Sequence, residues 1–176
     1  MRDTRAMDRP TLRGERVLLR PLTDDDLDGV LAILAEPAVA RWWGPQAEHP
    51  DRDELLDPTQ PRFAIVVDGA LAGWLACEVN DDPMYRAVGI DLFLTTALHD
   101  RGLGREALRL VIAHCIEQGH HRFTIDPAAD NERAIRAYAA VGFRPVGRMR
   151  DYEMGADGTW HDGLLMDLLA REFVAR

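Results

Sequence analysis

Residues 87–108 read AVGIDLFLTTALHDRGLGREAL, and this stretch decides the fold. Its first eight residues form an apolar run typical of a buried strand, interrupted only by Asp91. From Gly104 to about Gln118, apolar residues recur at helical spacing, which predicts a long helix. A further apolar run, RFTID at 122–126, follows that helix. The chain therefore contains a strand–helix–strand unit, in which the two strands should be parallel neighbours.

The turn between the first strand and the helix combines two glycines with two arginines. Gly102 and Gly104 lack the Cβ atoms that would keep an anion away from the free N–H groups of a helix N-terminus. Arg101 and Arg105 add positive charge at the end of the helix where the dipole also favours an anion. The turn is suited to a diphosphate, although the same ten residues also fit a plain glycine-rich turn with solvated arginines.

The rest of the chain alternates strands and helices as one unit. Residues 1–10 are predicted to be a loose N-terminal tail, and residues 11–176 a single domain. The apolar patterns predict further strands at 16–22, 62–67, 71–79, 143–154 and 160–169, and helices at 23–36, 51–56 and 131–142.

Composition narrows the class of protein. The chain has 176 residues, with 30 acidic and 21 basic side chains, and its net charge of −9 argues against nucleic acid and favours a cationic partner. No apolar run has the length of a membrane span, and the histidine spacing predicts no metal site. Cys77 and Cys115 lie on apolar segments, which predicts buried, reduced thiols in a cytoplasmic protein.

Two motifs resemble those of the GNAT superfamily of acyl-CoA N-acyltransferases. The turn is similar to its pyrophosphate loop, Gln/Arg-x-x-Gly-x-Gly/Ala, with His99 in the first position. The superfamily pattern Asn-x-x-Ala-x-x-x-Tyr-x-x-x-Gly-Phe is filled by Asn131, Ala134, Tyr138, Gly142 and Phe143. The resemblance implies an α/β (α+β) GNAT fold: a mixed, mostly antiparallel sheet of about six or seven strands with about four flanking helices. The sheet would splay between the fourth and fifth strands, at 87–94 and 122–126.

RWWG, GIDLFL and TIDPAADNERAI more narrowly resemble the aminoglycoside 6′-N-acetyltransferases, which confer antibiotic resistance. This resemblance implies acetyl-CoA as the acetyl donor, no metal, and direct attack by the 6′-amine of a small polycationic substrate. Nucleic acid and membrane would not be partners, and the protein would be a monomer or homodimer. Two alternatives remain open: an N-acyltransferase for a siderophore precursor, polyamine or protein N-terminus, and a non-catalytic acyl-CoA-binding module.

Three side chains are candidates for catalysis. By resemblance, Tyr138 would protonate the leaving thiolate, while Asp91 and Asp126 would bind ammonium groups and one of them would remove a proton. The residues alone also allow structural roles, with Tyr138 a half-buried aromatic side chain, Asp91 paired with an arginine, and Asp126 accepting backbone N–H groups. Likewise, Asn131 could bond the pantetheine arm or only cap its helix.

The predicted binding residues form two groups. The cofactor group comprises Leu92, Phe93, Leu94, Arg101, Gly102, Leu103, Gly104, Arg105, Asn131, Ala134 and Tyr138. The substrate group comprises Trp43, Asp81, Asp82, Asp91, Asp126 and Asp151.

Overall fold

The computed structural model describes residues 9–175, so all but Arg9 and Pro10 of the predicted tail lies outside the described residues. Eight strands form one sheet: β1 Leu12–Arg13, β2 Val17–Pro21, β3 Arg62–Val67, β4 Ala70–Asn80, β5 Ala87–Leu94, β6 Arg122–Ile125, β7 Arg144–Met154 and β8 Trp160–Leu169. The α-helices are α1 Leu27–Leu34, α2 Pro37–Ala40, α3 Pro45–Glu48, α4 Arg52–Leu56, α5 Leu103–Glu117 and α6 Glu132–Val141. Short 3₁₀ turns lie at Asp24–Asp26, Thr96–Leu98 and Ala170–Glu172.

The sheet has the order β1-β2-β3-β4-β5-β6-β8-β7 and confirms the predicted mixed, mostly antiparallel architecture. Its one parallel pair is β5 with β6, joined by α5 as the strand–helix–strand pattern requires. The described residues form eight strands where six or seven were expected, because β1 has only two residues and so shows no periodicity in the sequence. The expected helix number was also too low, since α2 and α3 are four-residue turns of helix.

The sheet opens beside the stretch that the sequence singled out. β5 pairs with β4 along its whole length, but with β6 only at Val88↔Phe123 and Gly89↔Thr124. Beyond Gly89 the two parallel strands diverge, which is the predicted splay between the strands at 87–94 and 122–126. The gap leaves the last residues of β5 free of a neighbour on that side.

Both faces of the central sheet are covered, and two buried clusters result. α5 packs one face against Leu75, Cys77 and Ile90, while α1 packs the other face against Trp74 and Phe93. Cys77 and Cys115 are buried and form no disulfide, as predicted. Within residues 9–175, no helix combines the length and apolar character needed to cross a membrane.

α5 is held against the start of β2 by one carboxylate. Glu106 Oε1 accepts hydrogen bonds from the backbone N–H groups of Arg16 and Val17, at 2.7 and 3.0 Å. This contact lowers the pKa of Glu106, although burial acts in the opposite direction and is the largest single influence. It also places the Arg16 side chain beside the N-terminus of α5.

Candidate active site

A cavity of about 780 Å³ lies at the gap between β5 and β6. Its walls come from the ends of these strands, the N-terminus of α5, one face of α6, and the segment around Trp43. The cavity therefore occupies the gap where β5 and β6 separate, and both predicted groups of site residues contribute to it.

One end of the cavity is built by the N-terminus of α5. Gly102, the residue before the helix, has φ +80°, and no side chain caps the helix there. A Cβ at Gly102 would lie 3.0 Å from Arg105 Nη2 and 3.6 Å from Arg16 Nη2. The free N–H groups of the first turn are thus flanked by two guanidinium groups, and the residues present fit a diphosphate.

The predicted loop residues are divided by the structure. Gly102, Leu103, Gly104 and Arg105 line the cavity, whereas Arg101 does not. The Arg101 carbonyl instead accepts a hydrogen bond from Arg16 Nη1 at 3.0 Å. Sequence reasoning missed Arg16, because a residue 85 positions from this carbonyl gives no local signal.

The free edge of β5 continues from this end along the cavity. The Thr95 N–H donates to the Ala72 carbonyl, so the alternation of an antiparallel pair turns the N–H and C=O groups of Leu92 and Leu94 toward the gap. The Leu94 carbonyl is already hydrogen-bonded to His99 Nε2, at 2.9 Å. Leu92 keeps its backbone groups available for an extended ligand, and Leu92, Phe93 and Leu94 all line the cavity.

α6 forms the opposite wall of the gap with Asn131, Ala134 and Tyr138. Asn131 Oδ1 accepts the Ala134 N–H at 3.2 Å, which confirms the expected helix cap. Tyr138 packs toward Phe143 and its hydroxyl has no hydrogen-bond partner among the described residues. Burial, reinforced by the negative charge of Asp91, raises the pKa of the Tyr138 phenol, so it stays protonated at neutral pH.

Asp91 lies on the same face of the sheet as Trp74 and Phe93, opposite the small side chain of Ala76. It is reached by solvent through the cavity, although protein atoms crowd its carboxylate. Burial, followed by the negative charges of Asp126 and Glu78, raises the pKa of Asp91 to about 7. No ion pair to Asp91 occurs within residues 9–175, so the structural alternative of an arginine partner is wrong.

Asp126 follows the last residue of β6 and lines the same cavity. Its Oδ2 accepts a hydrogen bond from the hydroxyl of Tyr152, a β7 residue. This bond is the main reason that the pKa of Tyr152 is raised. Sequence reasoning missed Tyr152, since it lies 26 residues from Asp126 and no motif includes it.

Three aromatic rings and a buried arginine also line the cavity. The Trp43 ring meets those of Trp74 and Phe93 edge-on, with centroids 5.7 and 5.1 Å away. Arg62, only 3% exposed, pairs with Glu78 at 2.6 Å and donates to the Cys77 carbonyl at 3.2 Å. The positive charge of Arg62 is therefore already engaged by the protein itself.

Three predicted substrate residues do not line the cavity. Asp81 pairs with Arg86 at 3.3 Å, and Asp82 accepts the Met84 N–H within the β4–β5 loop. Asp151 is exposed on β7 beside Tyr152. The loop between β4 and β5 leaves from the end of β5 at Ala87, so Asp81 and Asp82 do not converge with Asp91.

In the described chain, no group of three or more His, Cys, Asp or Glu side chains is arranged to hold a metal ion.

Comparison with known proteins adds independent findings. The family model described as "Acetyltransferase (GNAT) domain" matches residues 16–144. An aminoglycoside N(6′)-acetyltransferase type 1 from Klebsiella pneumoniae is 26% identical over 161 residues, covering 78% of each chain. The match spans both the turn at α5 and the α6 segment that line the cavity.

Solved structures share the fold at lower identity. RimJ from Mycobacterium smegmatis, in complex with CoA-disulfide, has a TM-score of 0.78 and 24% identity, covering 93% of this chain and 88% of that one. Spermidine N-acetyltransferase from Vibrio cholerae, in complex with CoA and spermine, has a TM-score of 0.76 and 17% identity, covering 90% and 98%.

Proposed function

This chain belongs to the GNAT acetyltransferase family, and we propose that it transfers the acetyl group of acetyl-CoA to the 6′-amine of aminoglycosides. The reaction class follows from the family. The acceptor is supported by the charge of the cavity and by the aminoglycoside-acetylating relative that shares 26% identity.

The N-terminus of α5 is the proposed site for the diphosphate of acetyl-CoA. The N–H groups of Leu103, Gly104 and Arg105 would bind the phosphate oxygens, and the guanidinium groups of Arg16 and Arg105 would neutralise them. The free backbone groups of Leu92 would bond the pantetheine arm as an added strand would. When bound there, acetyl-CoA supplies the activated acetyl group as a thioester.

The observation that carries the acceptor proposal is the charge at the other end of the cavity. Five carboxylates line it: Glu54, Glu78, Asp91, Asp126 and Glu153. Arg62 is paired with Glu78, and the other arginines that line the cavity, Arg105, Arg133 and Arg136, lie on the helices α5 and α6. Such a surface favours a substrate with several ammonium groups over a neutral amine or a single peptide terminus. The aromatic rings of Trp43 and Trp74 would pack against the sugar rings or alkyl carbons between those charges.

Asp91 is the proposed general base. An amine arrives as an ammonium ion and must lose a proton before its lone pair can attack. A carboxylate whose pKa is about 7 is substantially ionised at neutral pH and can still accept that proton. Asp126 would hold the substrate, since its Oδ2 is already hydrogen-bonded to a phenol and its other carboxylate oxygen is left for an ammonium group.

Tyr138 is the proposed general acid. It holds a proton on Oη, and the raised pKa keeps that proton in place at physiological pH. Because its hydroxyl has no partner among the described residues, it is free to donate to a departing thiolate on the α6 side of the gap.

The test is CoA release by purified protein with a panel of acceptors. The panel pairs an aminoglycoside bearing a 6′-amine with its 6′-hydroxyl analogue, and adds spermidine and a peptide with a free N-terminus. We expect turnover of the 6′-amine compound only, with a KM that rises with ionic strength as charge attraction is screened. Equal turnover of the 6′-hydroxyl analogue would exclude the 6′ position. Acetylation of spermidine or the peptide alone would replace the acceptor, and acetyl-CoA binding without any turnover would indicate a non-catalytic module.

A further inference from the structure

We infer that Tyr152 is a positioning residue for the acceptor amine, holding Asp126 in one orientation so that its second carboxylate oxygen is left for an ammonium group in the cavity. The hydrogen bond from the Tyr152 hydroxyl to Asp126 Oδ2 occurs between two residues that both line the cavity. The kinetic consequence of this inference rests on the proposed function, whereas the structural consequence does not.

The bond is notable because it joins strands that are not neighbours. In the sheet order, β8 lies between β6, which leads to Asp126, and β7, which carries Tyr152. The Tyr152 side chain therefore has to cross β8, and it does so at Gly163. A Cβ on Gly163 would lie 2.7 Å from Tyr152 Cδ1, so the ring can take this path only because position 163 has no side chain.

An irregularity in β7 directs Tyr152 toward the cavity. The pairing of β7 with β8 shifts register between Met149 and Glu153, and Asp151 in that interval has φ +48°, a left-handed conformation for a residue other than glycine. The Asp151 N–H donates to Asp162 Oδ1 at 2.9 Å, which secures the bulge to β8. Such locally strained backbone is retained where the surrounding structure needs a particular side-chain direction.

The Asp126 side of the bond is tied to the same strand. The loop after Asp126 is hydrogen-bonded to β8 at two places: Leu164 N–H to the Pro127 carbonyl, and Ala129 N–H to the Asp162 carbonyl, both at 2.8 Å. Asp162 thus contacts both the bulge and this loop. The hydroxyl and the carboxylate are held in one rigid unit around β8.

The hydroxyl acts on Asp126 in a way that a packing residue would not. An O–H donor occupies one carboxylate oxygen and restricts rotation of the group, which lowers the entropy lost when an ammonium binds the other oxygen. The phenol is a suitable donor because its raised pKa keeps it neutral across the physiological range.

The experiment compares Tyr152→Phe, which removes only the hydroxyl, with Gly163→Ala, which keeps the hydroxyl but displaces the ring. Both variants should raise KM for the amine about three- to tenfold, the net contribution of one ordinary hydrogen bond, because the Tyr152 hydroxyl orients Asp126 and does not itself contact the amine; kcat and the KM for acetyl-CoA should stay within about twofold of wild type. Tyr85→Phe is the matched control, since Tyr85 is exposed and does not line the cavity. In an Asp126→Ala background, Tyr152→Phe should have no further effect on kcat/KM.

A measurement without any substrate separates the two proposals. The ¹³C carboxyl resonance of Asp126, assigned by its loss in Asp126→Asn, should move in Tyr152→Phe and Gly163→Ala and stay in place in Tyr85→Phe. An unmoved resonance, or an amine KM equal to wild type in an enzyme that does acetylate amines, overturns the positioning role. Failure of the proposed function would show differently, as wild-type protein that turns over no amine while the resonance still moves.

Discussion

Replacing Asp91 with asparagine should make the protein more stable at high pH and at the same time nearly inactive. The pKa of Asp91 is raised from an ordinary 3.8 to about 7, because ionisation places a negative charge among protein atoms and beside Asp126. Ionising Asp91 therefore costs free energy in the folded state that the unfolded state does not pay. Asparagine has a similar shape and removes that cost, but it cannot accept a proton.

The sign and size of this change in stability follow from the difference between the pKa of Asp91 in the folded protein and in the unfolded chain. Below pH 3.8 Asp91 is protonated in both the folded and the unfolded state, so it does not lower the free energy of unfolding. The destabilisation grows as the pH rises and is complete above about pH 7. Each tenfold change in proton affinity corresponds to about 1.4 kcal/mol, which sets an upper limit of about 4 kcal/mol. Solvent reaches the carboxylate through the cavity and screens it, so we expect Asp91→Asn to gain about 1–2 kcal/mol at pH 8.

The assay is urea denaturation of wild type and Asp91→Asn at pH 5 and pH 8, together with turnover at pH 8. The stability gain should be larger at pH 8 than at pH 5, and kcat should fall about hundredfold or more, as loss of a general base does. Asp25→Asn is the matched control, because Asp25 is exposed and its side chain has no hydrogen bond or ion pair among the described residues. An Asp91→Asn variant that is less stable than wild type at pH 8 would refute the reasoning, since Asp91 would then have a stabilising partner.

Three further outcomes are expected. Gly104→Val should weaken acetyl-CoA binding in calorimetry, because the added side chain obstructs the N-terminus of α5. The fold should survive, since a Cβ at this position lies at ordinary contact distances from Leu94 (3.5 Å) and Leu92 (3.9 Å). An unchanged affinity would make the turn a purely structural feature. Tyr138→Phe should lower kcat about hundredfold with an unchanged melting temperature, since the deleted hydroxyl has no partner among the described residues; wild-type turnover where chemistry limits the rate would remove Tyr138 from the mechanism. Asp126→Asn should raise KM for a polycationic amine, and less so at high salt; a KM that does not change would exclude a carboxylate–ammonium contact.

Local pattern was sufficient to predict most elements of the fold. The predicted strands at 62–67, 87–94 and 160–169 coincide with β3, β5 and β8, and the predicted long helix differs from α5 by one residue at each end. Helix periodicity, turn glycines and caps depend on residues a few positions apart, so the chain itself contains that information. Short elements such as β1 and α3 have too few residues to show a period.

The end of the cavity at α5 was predicted better than the end at Asp91 and Asp126, for a physical reason. The N-terminus of α5 is a local structure, so one short stretch of sequence was enough to single out Gly102, Gly104 and Arg105, which line the cavity. The end at Asp91 and Asp126 is assembled from separate strands. Which acids face it depends on the register of the sheet and on the end of β5 from which a loop leaves. For that reason Asp81, Asp82 and Asp151 were assigned to a cavity that they do not line.

The sequence by itself determined the longer helices and strands, the glycine-rich turn before α5, and the choice of Asp91 and Asp126 as candidate residues. Only the tertiary structure brought Arg16 to α5, engaged Arg62 with Glu78, and carried Tyr152 over Gly163 to Asp126. Each of these contacts joins residues far apart in the chain, and each depends on strand pairing or on a single bulge. The type of a residue sets the chemistry that its side chain can perform, whereas strand register and backbone direction decide which other side chain it contacts.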